Sequence, residues 1–218
     1  MRVSTSTGSG GETDIDLMKR WRDGDSSAAQ ILVKRYFSLV YRFFANKLDQ
    51  GVEDLVQHTF LACVEGQQRF DDERGTAFRA YLLGIARNVL LKHYRQHQRR
   101  FTKIDPLNVP LMDLRAANPS RVVVARREQE VLMRALHRLP LDYQITMELF
   151  YWEDLSTPEI AKVLGVAEGT IKARLHRARH MLMRAIEELE PSGELRNRSL
   201  WELGQWTNGL RNFFKHST

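Results

Sequence analysis

STPEIAKVLGVAEGTIKARLHRARHML, residues 156–182, decides the fold. Ser156 and Glu159 form a capping box, with Ser156 as N-cap and Glu159 three residues on. Pro158 is tolerated in that first turn, where its missing N–H had no helical partner anyway. Ile160, Ala161 and Leu164 give a short apolar stripe, and Gly165 can take the left-handed turn that ends the helix. A second helix is predicted from about Glu168. Its Ile171, Leu175, Ala178 and Leu182 recur at i, i+4, i+7 and i+11, which makes one buried face. Lys172, Ala173, His176, Arg177 and Met183 lie opposite, with Arg174 and Arg179 on the flanks. A short helix, a glycine turn and a second helix, apolar on one side and cationic on the other, is helix-turn-helix geometry. Cationic heads so placed reach phosphates, and Lys172 and Arg177 are long enough for guanine edges. The segment is therefore expected to bind duplex DNA.

Charge along the rest of the chain points the same way. Arg79 to Lys103 holds seven basic residues and no acid, and Gly169 to Arg184 holds five, again with no acid. The two runs carry +12 in a chain whose formal net charge is +6, so the remainder sums to −6. Solvated helix faces usually mix both signs; two acid-free runs in an acidic background imply a polyanion partner. At ~100–200 residues per domain, the 218 residues allow one large or two small domains. A 43% hydrophobic and 28% charged composition fits a folded chain rather than a disordered one. The single cysteine, Cys63, excludes an internal disulfide framework and a multi-cysteine zinc site. No run reaches the ~18 apolar residues of a membrane span, and the N-terminus lacks the apolar centre of a signal peptide. A soluble, intracellular protein is expected.

Composition and proline placement divide the chain. Residues 1–13 are rich in Ser, Thr and Gly and are expected to be disordered. Helical periodicity fills 14–103. Residues 104–121 carry Pro106, Pro110 and Pro119 and form a flexible linker. A second helical domain spans 122–189, followed by a C-terminal extension, 190–218. In that extension Leu203, Trp206, Leu210, Phe213 and Phe214 fall on one helical stripe, weakened by Gly204 and Gly209. It is either a last helix packed on the second domain or a regulatory dock. The expected architecture is all-α: two small helical domains, the second a helix-turn-helix, joined by the linker.

Two faces of the first domain bear on partners. On a helical wheel over 52–65, Val52, Leu55, Val56, Thr59 and Cys63 cluster as the buried side. Asp54, Gln57, His58, Leu61 and Glu65 lie opposite, a polar and acidic face centred on one leucine and fit for protein docking. Its rival is a plain solvated face with a stray leucine. In 70–103 the basic run is interleaved with Phe70, Phe78, Tyr81, Tyr94 and Phe101. Phe78, Leu82, Ile85, Ala86 and Val89 are expected to be buried, leaving Tyr81, Arg87, Asn88, Lys92 and Arg95 mostly outward. Exposed cations with aromatics suit single-stranded nucleic acid, since rings stack unpaired bases while cations hold the backbone.

These segments together resemble the extracytoplasmic-function (ECF) sigma factors, the small bacterial RNA polymerase specificity subunits, over about residues 16–187. Region four is carried by Leu136-His-Arg-Leu-Pro140, Gln144 to Ser156, Glu159 to Gly165 and Gly169 to Arg179. Region two is carried by Glu53 to Phe60, by the loop Phe70 to Ala77 and by Phe78 to Asn88. The resemblance implies that the chain binds core polymerase, through the β′ clamp helices and the β flap, and directs transcription from particular promoters. It assigns Asp54, Gln57, His58, Leu61 and Glu65 to polymerase. It assigns Phe70, Asp72, Arg74, Tyr81, Arg87, Asn88, Lys92 and Arg95 to the melted minus-ten element, with a flipped base held by the 70–77 loop. Thr170, Lys172, Ala173, Arg174, His176, Arg177 and Arg179 go to the minus-thirty-five duplex. An anti-sigma factor or other regulator, a stress-response role and a cytoplasmic location are implied too. Gly51, His58, Tyr81, His93 and Ala167 depart from the usual family residues.

Other functions fare worse. His93 and His97, and His176 and His180, have metal-compatible spacing, yet both pairs sit in basic runs without nearby cysteine or carboxylate. No phosphate loop, nucleophile elbow or catalytic carboxylate pair appears, so no enzyme, cofactor or metal is expected. The remaining alternatives are a helix-turn-helix regulator acting without polymerase and a sigma mimic that titrates an anti-sigma factor.

Overall fold

A computed structural model of the chain describes residues 12–70, 78–98 and 127–190. Among these residues the regular elements are helices alone. Helix α1 (Asp14–Arg22) begins at Thr13, whose hydroxyl accepts the Asp16 backbone N–H at 3.2 Å while Asp16 reaches back. Thr13 and its neighbour Glu12, which pairs with Arg20, are therefore structured, whereas the sequence placed 1–13 together as disordered. Asp25 caps α2 (Ser26–Ala45) through the Ser27 N–H at 2.9 Å. Gly51, at φ +74°, starts α3 (Val52–Gly66) in the left-handed region, where an acidic side chain would be strained. A single 3₁₀ turn, Gln67–Arg69, follows, and α4 (Phe78–Gln98) packs on α2 and α3.

The second half contains α5 (Arg127–His137), α6 (Leu141–Tyr151), α7 (Thr157–Leu164) and α8 (Glu168–Leu189). The capping box at Ser156 is present, with Glu159 accepting the Ser156 N–H at 2.8 Å, and Gly165 has φ +67°. Ile171, Leu175, Ala178 and Leu182 are buried as the spacing predicts, joined by Ala185 and Ile186. They pack on α5, α6 and α7.

The two halves touch, which the expected flexible linker did not foretell. Helix α4 packs along α7, so closely that a Cβ at Gly84 would stand 3.7 Å from the Val163 carbonyl oxygen. One contiguous apolar cluster runs through both halves. The expected linker 104–121, residues 1–11 and the extension from 191 onward lie outside the described residues.

Candidate functional site

Helix α8 presents its cationic side to solvent. Thr170, Lys172, Ala173, His176 and Arg177 are exposed along it. Lys172 pairs with Glu168 one turn back at 2.8 Å, and that bond draws the Glu168 carboxyl below its ordinary range. Ala167 stands at the N-cap with extended backbone and no side-chain cap. Thr157 donates to Glu168 at 2.8 Å instead, tying the start of α8 to the start of α7. The flanking arginines are anchored rather than free. Arg179 donates to the Tyr151 hydroxyl at 2.7 Å and lies over the Phe150 and Tyr151 rings. Arg174 is half-buried in an ion pair with Asp142. His176 and His180 approach at 3.4 Å between their Nε2 atoms.

On α4 the outcome is mixed. Asn88, Lys92 and Arg95 are exposed, as the wheel predicts. Phe70 is buried, 3% exposed, with its ring against Phe78 and Tyr81, so it offers no free face to a base in this conformation. Tyr81 is half-buried, and its hydroxyl donates to the Gly66 carbonyl at 2.7 Å. A Cβ at Gly66 would lie 2.8 Å from that hydroxyl, which accounts for the glycine. Tyr94 is buried and donates to the Lys47 carbonyl at 3.0 Å. Arg87 is turned inward, 3.7 Å from Asp142. Burial lowers its guanidinium below the ordinary arginine value, with Asp142 opposing the shift. The buried set on α4 also includes Ala80, Leu83, Leu90 and Leu91, while Ile85 and Val89 are only half-buried. Asp72 and Arg74 lie outside the described residues.

Helix α3 matches the wheel position by position. Val52, Leu55, Val56, Thr59 and Cys63 are buried, and Asp54, Gln57, His58, Leu61 and Glu65 are exposed. Leu61 is 50% exposed and Val64 46%, so the face has an apolar centre ringed by polar groups. That composition suits a protein interface.

Sequence reasoning missed the residues where the halves meet. The fully buried Lys47 pairs with Glu148 of α6, donates to the Phe43 carbonyl at 2.9 Å and sits 4.0 Å from the Phe43 ring centre. Arg42 and Glu153 stand 3.6 Å apart, and His137 approaches the Asn46 carbonyl at 2.8 Å. Asp142, Glu148 and Glu153 do not share one helical stripe, and their cationic partners in the first half are 55 to 111 residues away in sequence. No local pattern could announce them.

Family patterns account for both halves. Sigma-70 region 2 matches residues 32–100 and sigma-70 region 4 matches residues 129–182, together more than half the chain. The chain is similar to the ECF RNA polymerase sigma-E factor of Haemophilus influenzae, 26% identical over 190 residues, covering 81% of this chain and 97% of that relative. The factor of the same name from Escherichia coli (strain K12) is 27% identical over 186 residues, covering 81% and 96%. Among solved structures, CnrH in complex with the cytosolic domain of CnrY is similar at TM-score 0.57 and 25% identity, over 81% of this chain and 99% of that one. RpoE of Bartonella quintana, solved with the anti-sigma factor NepR, shares the fold at TM-score 0.56 and 23% identity, over 72% and 96%. No described helix is long and apolar enough to cross a membrane.

Proposed function

The chain belongs to the sigma-70 family, as an ECF sigma factor that directs promoter-specific transcription, and from that premise we propose how its faces divide the work. Catalysis stays with the polymerase, since sigma factors are initiation factors and carry no enzymatic step. The exposed face of α3, Asp54, Gln57, His58, Leu61 and Glu65, docks on the clamp helices of core polymerase. Leu61 supplies the apolar contact, and the acidic groups select for a basic partner surface. Helix α8 enters the major groove of the minus-thirty-five element. Lys172 and Arg177 read base edges there, while Arg174 and Arg179 hold phosphates. On α4, Asn88, Lys92 and Arg95 take the unpaired minus-ten strand, with Tyr81 at the edge of the surface as a stacking ring. The chain works in the cytoplasm as two domains, region 2 over 14–103 and region 4 over 122–189. A regulatory protein partner is inferred from CnrH, which was solved in complex with the cytosolic domain of CnrY.

One observation carries this reading: a leucine-centred acidic face and a cationic recognition face stand exposed on separate helices of one chain. A duplex reader that worked without polymerase would need only the second. The test is transcription in vitro with purified chain, core polymerase and a pool of genomic templates. Discrete promoter-specific transcripts are expected. Their absence on every template would overturn the proposal.

A further inference from the structure

Helix α2 carries an apolar row that none of its neighbours covers. Ala29, Val33, Phe37 and Tyr41 recur every fourth residue along it, and Phe37 is 45% exposed. The Phe37 and Tyr41 rings stack, 6.2 Å between centres and 21° between planes. A shallow depression beside them is lined by Ala29, Gln30, Val33, Lys34, Phe37 and Ser38. The helix meets α1, α3 and α4 through its other side, where Ala28, Leu32, Leu39, Val40, Phe43 and Phe44 are buried. A row of residues four apart is the ridge by which one helix interlocks with another.

The C-terminal extension has the complementary pattern. Within its apolar stripe, Trp206, Leu210 and Phe214 also recur every fourth residue. Every large apolar side chain exposed among the described residues belongs to the first half: Ile15, Ile31, Phe37, Leu61 and Val64. The described second half therefore offers the stripe no exposed apolar landing. Leu61 and Val64 lie on the outer face of α3, and Ile31 sits about 120° round α2 from Phe37.

The extension also leaves the fold in the right place. Glu188, in the last turn of α8, pairs with Arg138 at 2.9 Å, and the adjacent His137 reaches the carbonyl of Asn46, the C-cap of α2, at 2.8 Å. By standard bond lengths, that path spans at most about 30 Å between the Glu188 and Asn46 Cα atoms. Tyr41 lies ~8 Å farther along α2 at ~1.5 Å per residue. The stretch from 190 to 203 reaches ~43 Å when extended, enough to bring Leu203 to Tyr41. Leu203 to Phe214 would then measure ~17 Å as a helix, against ~18 Å for Ala29 to Tyr41.

We propose that residues 203–214 dock as an amphipathic helix on the Ala29, Val33, Phe37 and Tyr41 row of α2, entering at Tyr41 and running antiparallel to it. A tethered occupant suits so small a seat. Four side chains, three of them half-buried, cannot supply the ~800 Å² per partner of a free-standing interface. A segment of the same chain is held near its seat at an effective concentration around millimolar, so fewer contacts suffice. The dock needs neither polymerase nor DNA, and it stands apart from the sigma reading.

The test uses the full chain with a bimane dye on a single introduced cysteine, Ser38→Cys or Gln30→Cys, at opposite ends of the row; Cys63 is buried and spared. Tryptophan quenches bimane on contact, and antiparallel docking brings Trp206 beside position 38. Trp206→Phe is expected to raise emission at Ser38→Cys at least about twofold and to leave Gln30→Cys nearly unchanged. Adding Phe214→Trp is expected to quench Gln30→Cys instead. Phe37→Asp, a change at an exposed position, is expected to release the quenching at Ser38→Cys as fully as Trp206→Phe does. Emission at Ser38→Cys that ignores Trp206→Phe would overturn the dock, as would quenching that survives Phe37→Asp. A response to Trp206→Phe at Gln30→Cys alone would overturn the antiparallel seat. Quenching that fades on hundredfold dilution would assign the row to the extension of a second copy and overturn the proposal as well. The Trp206→Phe comparison changes no residue of the described fold, so it holds even if Phe37→Asp loses helix by circular dichroism.

Discussion

Cys63 shows how much a single residue can report. It is buried on the inner side of α3, and burial pushes its thiol up to about 12 from the ordinary value of 9.0. The thiolate is the reactive form, so the folded chain is expected to resist Ellman's reagent at neutral pH and to react at the rate of its own opening. The same shift has a consequence for stability. The unfolded chain loses the thiol proton near pH 9 while the folded chain keeps it, so between about pH 9 and 12 the unfolded state binds fewer protons. The stabilising contribution is complete below pH 9 and is lost as pH rises toward 12. Urea unfolding of wild type and Cys63→Ala across that window checks it: wild type is expected to lose stability more steeply. Parallel slopes would show that Cys63 ionises normally in the fold. Its burial was legible from the helical wheel, because α3 has one inner and one outer face.

Elements differ in how far their pattern could be read, and the reason is the number of neighbours. Helix α3 packs on α2 and α4 and keeps a clean solvent face, so a single-stripe template describes it. Helix α4 packs on α2, α3 and α7, and burial spreads around it to Leu83, Leu90, Leu91 and Tyr94. A one-stripe template must fail there, and it mistakes Arg87 for a solvent-facing residue. Helix α6 is an extreme case, with Tyr143 the one half-buried residue between Leu141 and Leu149. The helix-turn-helix was legible to the residue because local chemistry sets its ends: Ser156 and Glu159 at the start of α7, Gly165 at its close. The exception is the α8 start. Ala167 has N-cap backbone geometry and no capping oxygen. Ala167→Ser is therefore expected to stabilise the chain by about 1 kcal/mol, read as a rise in the urea midpoint at unchanged slope. A midpoint that does not move would mean that the Thr157–Glu168 bridge already fixes this end.

At the scale of the whole molecule, the net charge of +6 conceals a division of labour and an internal bond. The cations of α4 and α8 were readable as two runs, whereas part of the acidic remainder turned out to face them across the chain. A composition cannot reveal such pairing, because it joins residues such as Lys47 and Glu148, 101 positions apart. Two sequence-defined domains on a flexible linker would melt independently. Here the apolar cluster is continuous and a buried ion pair spans the halves, so they are expected to unfold together. Removing one member of such a pair typically costs about 3–5 kcal/mol, a large share of the ~5–15 kcal/mol that holds a domain folded. The contact between halves is smaller than either half's own packing and should fail first. Scanning calorimetry is thus expected to give one transition for wild type and two for Glu148→Gln, the second set by whichever bundle is more stable alone. Two transitions already present in wild type would mean that the halves are thermodynamically separate and that the ion pair is incidental to their association.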